Sequence, residues 1–242
     1  MVRVGRPPQD PARQLERAHR ILDAAAELCL RWGYDKTTVD DVAKRADVAK
    51  GTIYLHWKTR EMLFAALVRR ERVRLLSEVR EHAPANLHEL LRELVGGLLR
   101  RPLMKALILG DSAVFGKLSR QKKGSPTTLE QGAAFKTYLG ELAGRGVLRS
   151  DLAPAELLAI LVSVVYGFLF TQSMLPEEMR TPEDRLVELV ADTAIRAMGA
   201  DVALTDDDAR AVRLATLGYL DTIEEIAQRK LAISLGAKER VT

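Results

Sequence analysis

Apolar and polar positions between residues 38 and 57 follow two short helical patterns with a three-residue break between them. The first pattern has spacings of three and four, and its apolar stripe comprises Val39, Val42, Ala43 and Ala46. Thr38, with Asp41 three positions later, forms the Thr-x-x-acid pattern of a capped helix start. The break at residues 47–49 contains Val48 as its apolar anchor. The pattern therefore predicts a helix-turn-helix.

The second helix of this pair is predicted over residues 50–57 and has an inward and an outward face. Ile53 and Trp57 fall on the inward face. The outward face is left with Lys50, Thr52, Tyr54 and His56. A small exposed helix that starts with a cation and carries hydroxyls suits the major groove of DNA and its phosphates. A packed helix pair with no DNA role is the alternative that periodicity alone leaves open.

The positive charge of the chain lies in the segment that contains this helix pair. The 242 residues include 37 Lys+Arg and 33 Asp+Glu, a net charge of +4. Residues 1–60 hold 12 basic and 8 acidic residues, and residues 61–242 hold 25 of each. This distribution is typical of a domain that meets a polyanion, although a solvated basic face would give the same count.

The N-terminal tail carries Arg3 and Arg6 on a segment rich in Gly and Pro that cannot be helical. Such a segment is similar to an arm that lays Arg into a neighbouring minor groove. A terminus without a role is the alternative. We take residues 1–58 as a DNA-binding domain with a basic N-terminal arm.

Proline, glycine and capping residues divide the remaining chain into helices with almost no strand-like alternation. The predicted helices span about residues 59–82, 86–99, 102–118, 126–144, 154–175, 182–199 and 205–235. The fold class is therefore all-α, with about ten helices, no sheet, and a larger helical domain over residues 59–242.

Residues 157–176 contain no charge, and twenty such residues are long enough to cross a membrane. Acidic flanks on both sides and polar residues in the second half oppose a membrane helix. We instead expect a central helix covered by its own subunit and by a partner. The next helix has an apolar side comprising Leu186, Leu189, Val190, Thr193, Ala194 and Ala197. Two such helices from each of two subunits would form a symmetric four-helix interface, so we expect a homodimer and no membrane partner.

An ordered set of residues between Leu15 and Leu67 carries a family resemblance. The matching residues are Ile21, Leu22, Ala24, Ala25, Glu27, Leu28, Gly33, Tyr34, Thr37, Thr38, Val39, Val42, Ala43, Ala46, Val48, Lys50, Gly51, Thr52, Ile53, Tyr54, His56, Trp57, Lys58, Arg60, Glu61 and Leu63. This segment resembles the DNA-binding domain of the TetR/AcrR family of one-component bacterial transcriptional regulators. Trp57 stands where that family usually has Phe, and Asp47 stands where it often has Gly.

The resemblance implies a role for each residue of the helix pair that matches the family. It implies base or near-base contacts from Lys50 and Thr52 and a close backbone approach at Gly51. It implies phosphate contacts from Tyr54 and His56, with Thr38 and Lys58 or Arg60 at the flanking backbone. For residues 59–242 it implies effector binding, dimerisation through two late helices, and a ligand that changes the spacing of the DNA-binding heads. Repression of a palindromic double-stranded DNA operator, relieved by a small molecule, is the expected function.

Candidates for an effector pocket are the aromatic and Met side chains of three body helices, together with one acid. They are Met104, Asp111, Phe115, Phe135, Tyr138, Tyr166 and Phe170. Asp111 falls in line with apolar residues on an inward face, where a carboxylate is costly unless it is paired. Plain core packing, and a structural partner for Asp111, are the alternatives to a pocket wall with a polar anchor. The expected effector is small and largely apolar.

Other function classes lack their motifs in this sequence. There is no Gly-x-Ser-x-Gly, Walker loop, Gly-x-Gly-x-x-Gly or His-Glu-x-x-His, so we expect neither an enzyme nor a cofactor. The four His residues lack the spacing of metal ligands, so we expect no metal site. Residues 1–20 lack the apolar run of a signal peptide, which predicts a cytoplasmic protein.

Overall fold

The computed structural model of the protein describes residues 10–109, 126–200 and 204–236, and the chain is all-α within these ranges. The helices are α1 (Pro11–Trp32), α2 (Val39–Arg45), α3 (Lys50–His56), α4 (Arg60–Glu81), α5 (Leu87–Leu99), α6 (Pro102–Leu109), α7 (Pro126–Gly144), α8 (Pro154–Met174), α9 (Glu183–Met198) and α10 (Asp206–Ser234). A short 3₁₀ turn spans Glu177–Met179, and one isolated β-bridge joins Leu148 to Gly199 in the described part. The all-α prediction is confirmed.

Helix starts are fixed by the capping residues that the sequence pattern indicated. The carboxylate of Asp10 accepts a hydrogen bond from the backbone N–H of Ala12 at 3.0 Å, at the start of α1. Asn86 caps α5 in the same way, with its side-chain oxygen 3.0 Å from the backbone nitrogen of Glu89. Helix α1 ends at Gly33, whose φ of 83° is rare for a residue with a side chain.

The described chain divides into two compact units. The first comprises residues 10–70 together with 231–236, and the second comprises residues 71–230. This differs from the predicted division after residue 58, because the first half of α4 packs into the core of the first unit. The last turn of α10 also belongs to the first unit.

The first unit has one apolar core, to which α1, α2, α3 and the first half of α4 all contribute. Its buried side chains include Ala18, Ile21, Leu22, Ala25, Leu28, Val39, Val42, Ala43, Ile53, Trp57, Leu63, Phe64 and Leu67. The apolar stripes predicted for α2 and α3 are therefore the faces that the fold buries. Arg70 lies within this unit at 3% exposure, and its guanidinium bonds the carboxylate of Asp23 at 2.8 Å and the carbonyl oxygen of His19 at 3.1 Å. These bonds tie α4 to α1 and offset the cost of removing a charged group from water.

The second unit is centred on the packing of α5 and α8 against α9. Its main core contains buried residues from α4, α5, α7, α9 and α10, among them Leu76, Val79, Leu90, Tyr138, Leu142, Ala191, Met198, Val212, Leu220 and Ile223. Gly97 allows α5 to approach α4 closely, because a Cβ atom there would lie 2.4 Å from Cδ1 of Leu75. Substitution of Gly97 would therefore force the helices apart.

Helix α8 leaves one apolar face open in the single chain. Residues at intervals of four along that face have exposed fractions between 42% and 71%, and they are Leu158, Val162, Tyr166, Phe170 and Met174. Residues 154–172 are long and apolar enough to cross a membrane, with mean hydropathy 1.8, a test that uses length and composition only. Since core helices of soluble proteins pass the same test, a single such helix is weak evidence for a membrane span.

Candidate nucleic-acid interface

The helix-turn-helix is held by hydrogen bonds at the start of α2 and in the turn that follows it. The backbone nitrogen of Asp41 donates to the Thr38 hydroxyl at 3.2 Å, and the backbone nitrogen of Thr38 donates to the Asp41 carboxylate at 3.1 Å. This is the reciprocal capping box that the sequence pattern predicts. The hydrogen bonds from Thr38 lower the pKa of Asp41. The carboxylate therefore stays ionised and keeps the cap at neutral pH.

The turn between α2 and α3 contains a residue in the left-handed backbone region. Asp47 has a φ of 51°, which favours Gly and is tolerated by Asp. This accounts for the departure noted above at a position where the resembling family often has Gly. The backbone nitrogen of Val48 donates to the carbonyl oxygen of Ala43 at 3.0 Å and closes the turn.

Helix α3 buries one side and exposes the other. Ile53 is 1% exposed, whereas Lys50, Gly51 and Tyr54 are exposed and Thr52 is half-buried. The outward residues predicted from the sequence therefore share one surface.

Leu55 is an apolar residue of this surface that the sequence patterns did not single out. Its exposed fraction is 71%, high for a large apolar side chain in a helix of seven residues. Apolar side chains in the major groove contact the methyl group of thymine. Its position one residue beyond Tyr54, away from Ile53, was the available signal.

Lys50 forms an ion pair across the helix-turn-helix. Its ammonium nitrogen lies 2.8 Å from Oδ2 of Asp40 on α2, and both side chains are about half exposed, at 51% and 54%. The hydrogen bond and the charge of Asp40 raise the pKa of Lys50. Lys50 is therefore cationic at any physiological pH and its side chain is directed toward α2 in the free protein.

His56 is half-buried at the end of α3, beside Trp57, with ring centroids 5.3 Å apart. Burial, and to a smaller degree the charge of Arg17, lower the pKa of His56. The ring is therefore neutral at neutral pH and offers one N–H donor.

The flanking residues Thr38, Lys58 and Arg60 differ in how much of their polar surface is open. Lys58 is exposed. The Thr38 hydroxyl is occupied by the capping box, and its residue is exposed. Arg60 donates to the carbonyl oxygens of Thr37, at 2.9 Å, and of Tyr34, and its guanidinium lies 3.9 Å from the centroid of the Tyr34 ring. These contacts give Arg60 a structural role in the loop that precedes α2. The predicted arm residues Arg3 and Arg6 lie outside the described residues.

The predicted effector residues do not line one common cavity among the described residues. Tyr138 is buried, its hydroxyl lies 3.0 Å from that of Thr216, and its ring stacks on Tyr219 with centroids 4.8 Å apart. Burial raises the pKa of Tyr138, and it raises that of Tyr219 to about 12, so both phenols stay protonated. Beside them runs a groove of about 570 Å³ between α7 and α10, which Thr137, Glu141, Arg145, Leu214 and Gly218 also line.

The other predicted effector residues have different environments. Phe135 contacts the two tyrosine rings and lines a separate groove of about 360 Å³. Tyr166 and Phe170 lie on the open face of α8, because the inward side of that helix is occupied by Leu157 and Leu169. Met104 is half-buried on α6, and Asp111 and Phe115 lie outside the described residues.

One group of side chains in the described part has the composition of a metal site. His88 on α5 lies with Glu188 and Asp192 on α9, and their ligand atoms fall within 4.8 Å of one another. Each is already bonded: His88 lies 2.9 Å from Asp192, and Arg92 lies 2.7 Å from Glu188. The fold thus pairs a His for which sequence spacing showed no partner, and the pairs tie α5 to α9.

Comparisons with known proteins address the family directly. The sequence model of bacterial regulatory proteins of the tetR family matches residues 21–67, the segment that contains α2 and α3. The chain belongs to the TetR family. An uncharacterized HTH-type transcriptional regulator, YvkB of Bacillus subtilis, is 24% identical over 188 residues, which cover 75% of this chain and 97% of YvkB. The HTH-type transcriptional repressor KstR of Mycolicibacterium smegmatis is 29% identical over 121 residues, or 46% of this chain and 59% of KstR.

The fold of this TetR-family chain is also that of solved structures. The complex of triclosan with SmeT, a repressor from Stenotrophomonas maltophilia, matches with a TM-score of 0.60 and 21% identity, covering 77% of this chain and 93% of SmeT. The relatives are transcriptional regulators, which places this TetR-family protein among regulators of transcription and not among enzymes.

Proposed function

We propose that this TetR-family regulator is a homodimeric repressor that binds a palindromic DNA operator and is released by a small, largely apolar effector. The observation that carries the proposal is the exposed face of α3, which lies inside the segment that matches the family. A regulator that binds the chromosome acts in the cytoplasm, which is the location we propose.

Each α3 enters the major groove in this proposal. Lys50 and Thr52 contact bases, Gly51 permits a close backbone approach, and Leu55 contacts a thymine methyl group. Tyr54 and His56 donate to phosphate oxygens, as do Thr38 and Lys58 at the flanking backbone. Because the guanidinium of Arg60 already donates to two carbonyl oxygens, we assign Arg60 to loop support. The arm residues Arg3 and Arg6 are proposed to reach the adjacent minor groove.

A second copy of the chain is the partner that we propose for the open face of α8. This face is charge-free over five large apolar side chains in a row, a patch of the kind that monomeric proteins rarely leave in water. Helix α9 packs on α8 within the same unit, so the two helices form one continuous surface. The isologous pairing of this surface gives the four-helix interface expected from the sequence.

The effector is proposed to bind in the second unit beside Tyr138. The groove between α7 and α10 has a volume within the range of small-molecule sites, with two stacked aromatic rings as one wall. Glu141 and Arg145 supply polar groups at the same groove. A ligand releases DNA only if it binds the released state more tightly, by a few kcal/mol of differential affinity.

The first experiment identifies the operator. Purified protein is incubated with fragments of genomic DNA, and the retained fragments are sequenced. We expect a small set of fragments that share an inverted repeat. Retention of all fragments in proportion to their length would refute the proposal of a specific regulator.

The second experiment separates base contacts from phosphate contacts with two variants. Lys50→Ala is expected to weaken operator binding and relax sequence selectivity, because a base contact is lost. Tyr54→Phe is expected to weaken binding similarly on all sequences, because a phosphate donor is lost. Gel-shift competition measures both, and identical behaviour of the two variants would contradict this division of roles.

A further inference from the structure

The last turn of α10 is bonded to the residue that ends α3. The indole Nε1–H of Trp57 donates to the backbone carbonyl oxygen of Ser234 at 2.9 Å, across 177 positions of sequence. Trp57 is only 1% exposed. A buried indole N–H without an acceptor is costly, so this bond fixes the rotation of the ring.

Ser234 receives a second hydrogen bond from the same unit. Nη1 of Arg69 on α4 donates to the Ser234 hydroxyl at 2.5 Å. Burial lowers the pKa of Arg69, which shows that its guanidinium is withdrawn from water at this contact. Ser234 is the last residue of α10, where carbonyl groups lack partners within the helix. Two donors from distant parts of the chain thus converge on one helix end.

Trp57 connects this helix end to the DNA-facing surface. Its backbone nitrogen donates to the carbonyl oxygen of Ile53 at 2.8 Å and closes the last turn of α3. The neighbouring residue on the chain is His56, one of the phosphate donors proposed above. The backbone of Trp57 therefore ends α3, while its ring is anchored on Ser234.

We infer that Ser234 is a positioning residue for DNA binding, which acts through Trp57 to fix the orientation of α3. The final turn of α10 is then a working part of the interface and not an appendage. Phe, expected at position 57 from the family resemblance, has no N–H to donate. The Trp at 57 and the helix that supplies its acceptor form one device. This inference rests on the proposed function.

The test uses two changes that remove the same bond from opposite sides. Trp57→Phe keeps an apolar ring and deletes the donor, whereas a chain that ends after Ile233 deletes the acceptor. The probe is a duplex that the full chain selects from genomic DNA, and affinity is measured by fluorescence anisotropy. Each change is expected to weaken binding about tenfold, the effect of leaving one buried polar group unpaired. The two changes combined should be no worse than the shortened chain alone.

Controls separate positioning from general destabilisation. A chain that ends after Gly236 keeps Ser234, and Trp32→Phe alters an exposed Trp of the same unit; both should bind as the full chain does. Affinities are compared at a temperature where circular dichroism shows every variant folded. With Trp32→Phe as background, Trp57 is the remaining Trp of the chain. Its emission should then shift to the red on loss of Ser234.

Three results would overturn the inference. Trp57→Phe could bind with the affinity of the full chain, its effect could persist in the chain that ends after Ile233, or the emission of Trp57 could stay unchanged in that chain. The Trp57→Phe variant decides by itself if the shortened chain does not fold. Failure of the proposed function would differ, since the full chain would then select no DNA sequence at all.

Discussion

Lys50 must exchange one partner for another when it binds DNA. In the free protein its ammonium group pairs with Asp40, and both side chains are exposed, so the pair is weak and screened by salt. Asp40 also places a negative charge beside the surface proposed to meet phosphates. The pair therefore directs Lys50 and makes non-selective contact with DNA less favourable.

Replacement of Asp40 by Asn should raise affinity for unrelated DNA several-fold and lower the ratio of operator to unrelated binding. The released Lys50 gains freedom to contact a phosphate, so the salt dependence on unrelated DNA should steepen by a slope of about one. Titrations at several salt concentrations measure both quantities. The matched control is Asp35→Asn, which removes the same charge from an exposed site in the loop before α2. If both variants change operator and unrelated binding equally, the effect is general charge and not release of Lys50.

His56 predicts a pH dependence of the first unit. Burial lowers its pKa from 6.5, so the folded chain binds fewer protons than the unfolded chain as the pH falls below 6.5. By linkage, the stability contributed by neutral His56 is present above that pH and is lost between it and the lower folded pKa. His56→Gln, which does not titrate there, should remove this part of the acid dependence. Chemical denaturation from pH 7.5 to about 5 measures it, and parallel curves for both proteins would contradict the assignment.

At the scale of helices, local signals predicted where elements begin, but not which faces the fold leaves open. Asp10, Thr38, Asn86 and the prolines act within one turn, so their effect can be read from a few neighbouring residues. The open face of α8 could not be predicted in detail, because an all-apolar helix gives no sign of which side meets its own chain. The contact of Trp57 with Ser234 joins residues 177 positions apart and leaves no periodic trace.

Helix α8 provides the test of the dimer at this scale. Phe170 is 54% exposed in the middle of the open face, and Phe170→Glu would place an unpaired charge in the proposed interface. A buried charge without a partner costs about 3 kcal/mol or more, so dimer dissociation should become at least about 100-fold easier. Analytical ultracentrifugation measures this change, and Leu214→Glu on α10, at 71% exposure, is the control. A variant that stays as dimeric as the control would exclude this face as the interface.

For the whole molecule, the proposal requires two copies of α3 to bind one duplex at the same time. A symmetric dimer reads two half-sites whose centres lie one helical turn, about 10.5 base pairs, or a multiple of it apart on the same side of the DNA. Insertion of about five base pairs between the half-sites rotates one of them by half a turn to the opposite side of the helix. Binding to such a duplex should fall to the level of an isolated half-site, because only one α3 can engage. Insertion of about ten base pairs restores the phase and is the matched control for added length. A loss with both insertions would indicate fixed spacing between the two heads, whereas unchanged affinity after the half-turn insertion would mean that each chain binds its half-site independently and would contradict the dimeric proposal.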